Sequence, residues 1–453
     1  MDVPKEKSFT TRVFHRIISL FKNRWFNYSS KWETYYQRIE NSNDPIWDEV
    51  LVVLAKTKPD IIGISVSNVT VSSALKIAKI AKGYNSNIKV IFGGPAATII
   101  PDYVLENKSV DFLVYGEGEI STANLTEHIL KNQLSSQILK QVKGIVFRDS
   151  EKIVKTEPQS LIQDLNKLPF PDRESMFRVN EKRELQKIYS NGDVLTSRGC
   201  PYLCKFCACF KIWGTRTPRS RSVKNIIDEI SYLVQTYGQS SFVFWDDLFT
   251  VNKKHVIELC NEIIKQNLNI KWVCLARLNN IDREMIEAMK RAGCWQIQVG
   301  IESGCNRVLK FINKNLTIDL IKKKTKILRD SNINWLAFFI VGFPTETKGE
   351  IIQTLNFIKT IRPTTVGISI FSPYPGTELH TYINEHGLSK KSENYIKNDT
   401  WYIENNYSGT MSDSEFKEIA ERALKFGDKY NSIYKRFPRM GFDRVQKWFR
   451  KNN

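Results

Sequence analysis

The chain has 453 residues, of which 42% are hydrophobic and 11% aromatic, which is too long for one ordinary core and too apolar for a disordered polymer. A formal charge of +19 suits a nucleic acid, an anionic lipid surface or an acidic substrate, and selects none of them because Lys and Arg are spread along the whole chain. The most apolar runs, such as residues 335–341, fall far short of a membrane span, and eight cysteines without a visible secretion signal are expected to be reduced thiols in a cytoplasmic protein.

In residues 1–50, Val13, Phe14, Ile17, Ile18, Phe21 and Trp25 recur at helical spacing with Arg12, Arg16, Lys22 and Arg24 between them. This predicts a basic amphipathic helix, docked on the protein's own surface or lying on anionic lipid. Residues 51–165 carry a βα pattern. Strands are expected at 61–67, 88–92 and 111–115, with a helix over 73–82. Each strand ends in small or flexible residues: Ser65 and Ser67, then Gly93 and Gly94, then Gly116 beside Glu117. Ligands of open α/β sheets bind at such carboxyl ends, where glycine lets a bulky group approach the backbone, although turn glycines alone would look the same. Residues 144–148 and 152–156 read as a hairpin. Residues 166–188, with Pro169 and Pro171, form a stiffened linker at the domain boundary.

Over 189–385, strand and helix patterns alternate six times, with strands near 194–197, 241–245, 270–275, 295–301, 335–341 and 365–371. Such alternation predicts a parallel sheet curved into a partial barrel. Its strand ends collect Arg198, Asp246, Asp247, Arg277, Glu302, Ser303, Gly342 and Glu346. Helix caps, a surface ion pair and a plain turn would explain these one at a time, whereas together they mark the catalytic face of a barrel.

Directly after the first of these strands come Cys200, Cys204 and Cys207. Three soft ligands in one loop can hold an iron–sulfur cluster whose fourth iron stays open to an exogenous ligand. Cys209 would instead complete a four-ligand zinc site. In residues 386–453, Ser412-Asp413-Ser414-Glu415 is a capping signature that begins an amphipathic helix. The closing segment interleaves Lys435, Arg436, Arg439, Arg444, Lys447, Arg450 and Lys451 with Phe437, Phe442, Trp448 and Phe449, and is expected to pack on the barrel or meet an acidic partner.

The Cys-x3-Cys-x2-Cys spacing resembles the signature of the radical S-adenosylmethionine (SAM) enzymes. Phe244-Trp245-Asp246-Asp247, Gly300-Ile301-Glu302-Ser303-Gly304, Gly342-Phe343-Pro344-Thr345-Glu346 and Pro373-Tyr374-Pro375-Gly376-Thr377 are similar, in order, to landmarks of the group that also binds cobalamin. Residues 59–119 resemble the latter half of that group's cobalamin-binding domain, without its first two strands and without an Asp-x-His-x-x-Gly motif. The resemblance implies a Rossmann-like cobalamin-type domain, a partial (β/α)6 TIM-type barrel and a helical C-terminal region.

It further implies that Cys200, Cys204 and Cys207 hold a 4Fe-4S cluster. Asp246 or Asp247 would meet the SAM amino group, Arg277 its carboxylate, Glu302 beside Ser303 the ribose, and Gly342 the adenine. Ser65, Ser67, Gly93, Gly94, Gly116 and Glu117 would face cobalamin. The implied reaction reduces SAM to a 5'-deoxyadenosyl radical, with methyl transfer to an unactivated carbon of a small-molecule or peptide substrate and an electron donor such as flavodoxin or ferredoxin. The alternatives are radical cyclisation or rearrangement and, from a different class, a zinc- or cluster-bearing nucleic-acid-binding protein.

Overall fold

The protein is described by a computed structural model over residues 35, 37–174, 192–389 and 403–436. The expected N-terminal amphipathic helix, most of the linker and the closing basic segment lie outside the described residues.

The first sheet has the linear order β1 (Ile61–Ser65), β2 (Lys89–Gly93), β3 (Phe112–Val114), β4 (Ile145–Asp149), β5 (Lys152–Lys155). β1 to β3 are parallel, and the β4–β5 hairpin joins antiparallel. Strands covered on both faces need apolar side chains in both directions, and Val90, Phe92 and Leu113 are indeed fully buried. One face packs under α1 (Ile46–Thr57) and α2 (Val71–Tyr84), through Leu54, Ala74, Ala78 and Ala81. The other face, with Ile91, Phe112 and Val114, packs against Leu125, Val142 and Ile145. Two further helices leave the carboxyl ends of the central strands: α3 (Pro95–Ile99) after β2, and α4 (Gly118–Leu130) after β3. Helix α1 buries Trp47 and Leu54, and Leu54 joins this core. Among the described residues β1 is an edge of this sheet.

The second sheet is parallel and open. In chain order its strands are β6 (Gly192–Val194), β9 (Ser241–Phe244), β10 (Lys271–Ala276), β11 (Cys294–Glu302), β12 (Asn334–Val341) and β13 (Thr365–Ile370), and they lie side by side in that same sequence. Between β6 and β9 a small antiparallel pair, β7 (Ser197–Arg198) with β8 (Arg219–Ser220), brackets the cysteine loop and α5 (Cys209–Trp213). The covering helices are α6 (Val223–Tyr237), α7 (Lys253–Lys265), α8 (Arg283–Arg291), α9 (Ile318–Asp330) and α10 (Lys348–Ile361). Each starts where a side-chain oxygen takes an orphan backbone N–H: Ser222, Asn252, Asp282, Thr317 and Thr347. Their apolar faces meet the strands in one core containing Ile230, Leu259, Met285, Ile321 and Ile358.

Among the described residues, the C-terminal region packs on the barrel. Helix α11 (Asp413–Arg436) lays Phe416, Ile419, Ala420 and Ala423 into the barrel core, beside β13. Its capping box is present, with Ser412 N–H donating to Glu415 Oε2 at 3.0 Å and Glu415 N–H donating to Ser412 Oγ at 3.4 Å. The Asn431 amide accepts from Val366 N–H at 2.9 Å and donates to Val366 C=O at 2.8 Å, filling the open edge of β13.

Candidate cluster and cofactor site

The cysteine loop is clasped from three directions. Phe206, between Cys204 and Cys207, packs into an apolar cluster with Phe343, Phe371 and Ile312, with its ring 5.9 Å from that of Phe343. The segment after the fourth strand holds the loop backbone: Lys205 N–H donates to Ile312 C=O at 3.0 Å and the Asn313 amide donates to Leu203 C=O at 2.8 Å. The third hold comes from the end of β10. The Arg277 guanidinium stacks 3.7 Å from the Tyr202 ring centroid, donates through Nη1 to Cys204 Sγ at 3.2 Å and through Nη2 to Lys314 C=O. The Tyr202 hydroxyl in turn donates to Asn280 Oδ1 at 2.7 Å.

All three thiols are free, with Cys207 the most open. Cys209 differs: it is buried in α5 beside the Asp247 carboxylate, and burial raises its thiol far above the ordinary range.

The paired aspartates separate. Asp246 is 1% exposed, and its carboxylate accepts from Thr196 N–H at 2.6 Å, from Ser197 N–H and Oγ at 3.1 Å, and from the Thr196 hydroxyl. It ends β6 and turns the chain into β7, which is why the first strand stops at Val194 rather than running to residue 197. Asp246, expected at the SAM amino group, is taken up by Thr196 and Ser197, and burial raises it to about 6. Asp247 is exposed and accepts from Gly199 N–H at 3.1 Å, against the cysteine loop.

At the end of β11, Glu302 adopts φ 71° and meets Lys314 Nζ at 2.7 Å, both residues buried. Gly300 makes room, since a Cβ there would strike the Glu302 carboxylate and the lysine ammonium. Ser303 is fully buried, paired with Thr354 Oγ1 at 3.2 Å and accepting from Cys305 N–H, so it braces the turn rather than lining an opening.

Gly342 N–H donates to Glu346 Oε2 at 2.7 Å and Phe343 N–H donates to the same oxygen at 3.3 Å. Glu346 is wholly buried and its Oε1 has no partner, so desolvation raises its carboxyl to about 8. The folded state therefore binds a proton that the unfolded chain releases near 4.5, and stability contributed below that pH is lost as pH rises toward 8. The slope is at most ~1.4 kcal/mol per pH unit. Glu346→Gln is expected to flatten this decline, and urea unfolding at pH 5 and pH 8 measures it.

The two domains meet beside the cysteine loop. Glu117, at the end of β3, accepts from Arg198 Nη1 at 2.7 Å and from Arg219 Nη1 and Nη2 at 2.9 Å, and also takes Ile162 N–H at 2.8 Å. Arg198 reaches Glu119 as well, at 2.5 Å. Burial opposes ionisation of Glu117, but the bonds from Arg219 and Arg198 outweigh it and hold the carboxyl below its usual range. Glu117, expected beside cobalamin, has its carboxylate bonded to two barrel arginines. Nearby, α5 packs on α3, which brings the cysteine loop toward the Gly93–Gly94 strand end.

Residues 194–358 match the Radical SAM superfamily, and residues 29–126 match the B12 binding domain. An uncharacterized methyltransferase of Pyrococcus horikoshii is 33% identical over 77% of this chain and 74% of its own length. The chain belongs to the radical SAM enzymes that carry a cobalamin-binding domain. An anaerobic magnesium-protoporphyrin IX monomethyl ester cyclase of Rubrivivax gelatinosus is 29% identical over 75% of this chain, which spans 61% of the cyclase. The fold is shared with the radical SAM methyltransferase TsrM of Kitasatospora setae (TM-score 0.65, 17% identity, covering 77% of this chain and 69% of that one). It is shared also with the cobalamin-dependent radical enzyme OxsB (TM-score 0.58, 19% identity, 84% and 54%).

This radical SAM enzyme uses a 4Fe-4S cluster, SAM and cobalamin, and its donor set suits them. Cys200, Cys204 and Cys207 are free thiols on one loop, the soft donors that an iron–sulfur cluster takes. The zinc-protein alternative falls with the family match. On the cobalamin side, Ser65 is exposed, Ser67 pairs with Thr70 at the turn after β1, and Gly116 has open space where a side chain would stand. Gly94 adopts φ 89°, and a Cβ there would lie 2.8 Å from Ser65 Oγ and 3.0 Å from Val66 C=O. Gly94→Ala is expected to weaken cobalamin binding at least tenfold, read by absorbance after gel filtration, while iron content stays at the wild-type level. The residues matched to the B12 binding domain contain no histidine. Among the described residues no helix is long and apolar enough to cross a membrane.

Lys314 and Tyr202 are site residues that sequence reading missed. A lone lysine after a helix carries no local sign of burial, whereas Tyr202 lies inside the cysteine motif, where an aromatic is a usable signal.

Proposed function

We propose that the enzyme methylates an unactivated carbon of a small-molecule or peptide substrate. When bound, the cluster supplies the electron that opens SAM, and cobalamin supplies the methyl carrier. The chain's own residues then bind and orient. Cys200, Cys204 and Cys207 ligate the cluster, Asp247 meets the SAM amino group, and Arg277 its carboxylate. Glu302, held by Lys314, meets the ribose, and the backbone at Gly342, held by Glu346, borders the adenine. Ser65, Ser67, Gly93, Gly94 and Gly116 border cobalamin. The observation that carries this reading is the Glu117–Arg198–Arg219 lock, because it fixes the small-residue strand ends of one sheet beside the cysteine loop of the other. A one-electron donor such as flavodoxin or ferredoxin would approach the open side of the loop at Leu203 and Lys205.

The test is anaerobic reconstitution with iron, sulfide and hydroxocobalamin, followed by mass spectrometry of SAM-derived products during turnover. S-adenosylhomocysteine together with 5'-deoxyadenosine is the expected result. The cyclase relatives favour a second reading, cyclisation or rearrangement, for which 5'-deoxyadenosine alone is expected.

A further inference from the structure

Arg277 is expected at the SAM carboxylate, yet its surroundings point to an additional task. The residue is 5% exposed, and among the described residues no carboxylate pairs with it. Its three guanidinium nitrogens are all engaged: Nε with Asn279 Oδ1 at 3.2 Å, Nη1 with Cys204 Sγ at 3.2 Å, and Nη2 with Lys314 C=O. The Tyr202 ring covers its face. An arginine does not deprotonate, and a buried guanidinium with no anion is strongly unfavourable. The one partner able to carry negative charge is the Cys204 sulfur.

We infer that Arg277 is the counter-cation of the Cys204 ligand, and that its N–H···S bond raises the reduction potential of the cluster. This rests on the reading that Cys200, Cys204 and Cys207 hold that cluster. A cluster on three thiolates is anionic and becomes more so on gaining an electron. A fixed positive charge and a hydrogen bond at a ligand sulfur therefore favour the reduced form. Stacking on Tyr202 and the bond from the Tyr202 hydroxyl to Asn280 keep the charge in place before any ligand arrives. Nη1 and Nη2 each keep a second N–H beyond the bonds to Cys204 and Lys314, so a SAM carboxylate can be met without breaking the bond to the Cys204 sulfur.

The experiment uses the full chain, reconstituted anaerobically without SAM, with iron and sulfide quantified and the cluster titrated electrochemically by electron paramagnetic resonance. Arg277→Gln is expected to load iron as the wild type does and to show a midpoint shifted to more negative potential, with Arg277→Lys in between. Equal midpoints at equal iron content overturn the inference. So does loss of iron in both variants, which would make the arginine a structural strut. Retention of iron by Cys204→Ala would instead sink the ligand assignment on which the inference rests.

Discussion

Replacing any one of Cys200, Cys204 or Cys207 by Ala is expected to reduce bound iron to background and to abolish 5'-deoxyadenosine formation. The loop offers no substitute ligand. Cys209, the next thiol along the chain, is buried in α5 with its sulfur at the Asp247 carboxylate, in surroundings that keep it protonated. Cys209→Ser is accordingly expected to retain iron. Ligation needs thiolates, so loading releases protons and should run faster at alkaline pH. Iron and sulfide analysis of the four variants, with mass spectrometry of the SAM products, decides the matter. Iron retained in Cys207→Ala and lost in Cys209→Ser would reverse the assignment.

The second large effect is expected at Glu117. Its carboxylate serves Arg198 and Arg219, whose side chains are 12% and 8% exposed. Glu117→Ala leaves two shielded guanidinium groups without their shared anion, and removing one partner of a buried ion pair costs about 3–5 kcal/mol. Guanidinium chloride unfolding should show that loss, or a separate early transition as the two domains come apart. Glu117→Gln, which keeps one acceptor oxygen, is expected to lose less. The folded carboxyl sits below its ordinary range, so this contribution is present above about pH 4.5 and disappears as pH falls through the folded value. The stability gap between wild type and Glu117→Ala should therefore close in acid. A gap independent of pH would show that the residue acts through packing rather than charge.

Local pattern carries the sequence reading a long way. Alternating apolar runs and capping residues locate the strands of both sheets, because those signals repeat every two or four residues along the chain. The three cysteines and the glycines at the strand ends are legible for the same reason. What the sequence leaves illegible lies where the partner is remote. Glu117 sits beside Gly116 and reads as a crevice residue until Arg219, 102 positions later, is found on its carboxylate. Asp246 and Asp247 are neighbours in the chain but alternate in direction, so one is consumed by Thr196 and Ser197 while the other faces the loop. Glu302 could be named, but its left-handed backbone and its lysine could not, since neither leaves a trace in residue type. Arg277, taken alone, reads equally well as a surface ion-pair partner, and it is buried without a carboxylate.

An open barrel leaves its last strand with unpaired backbone groups, a ready template for joining a second molecule. Asn431 imitates a neighbouring strand at Val366, answering one N–H and one C=O with a single amide. Losing α11 would thus do more than thin the hydrophobic layer. It would uncover a seam along β13 at which two copies can zip together, making intact helix packing there a safeguard against self-association.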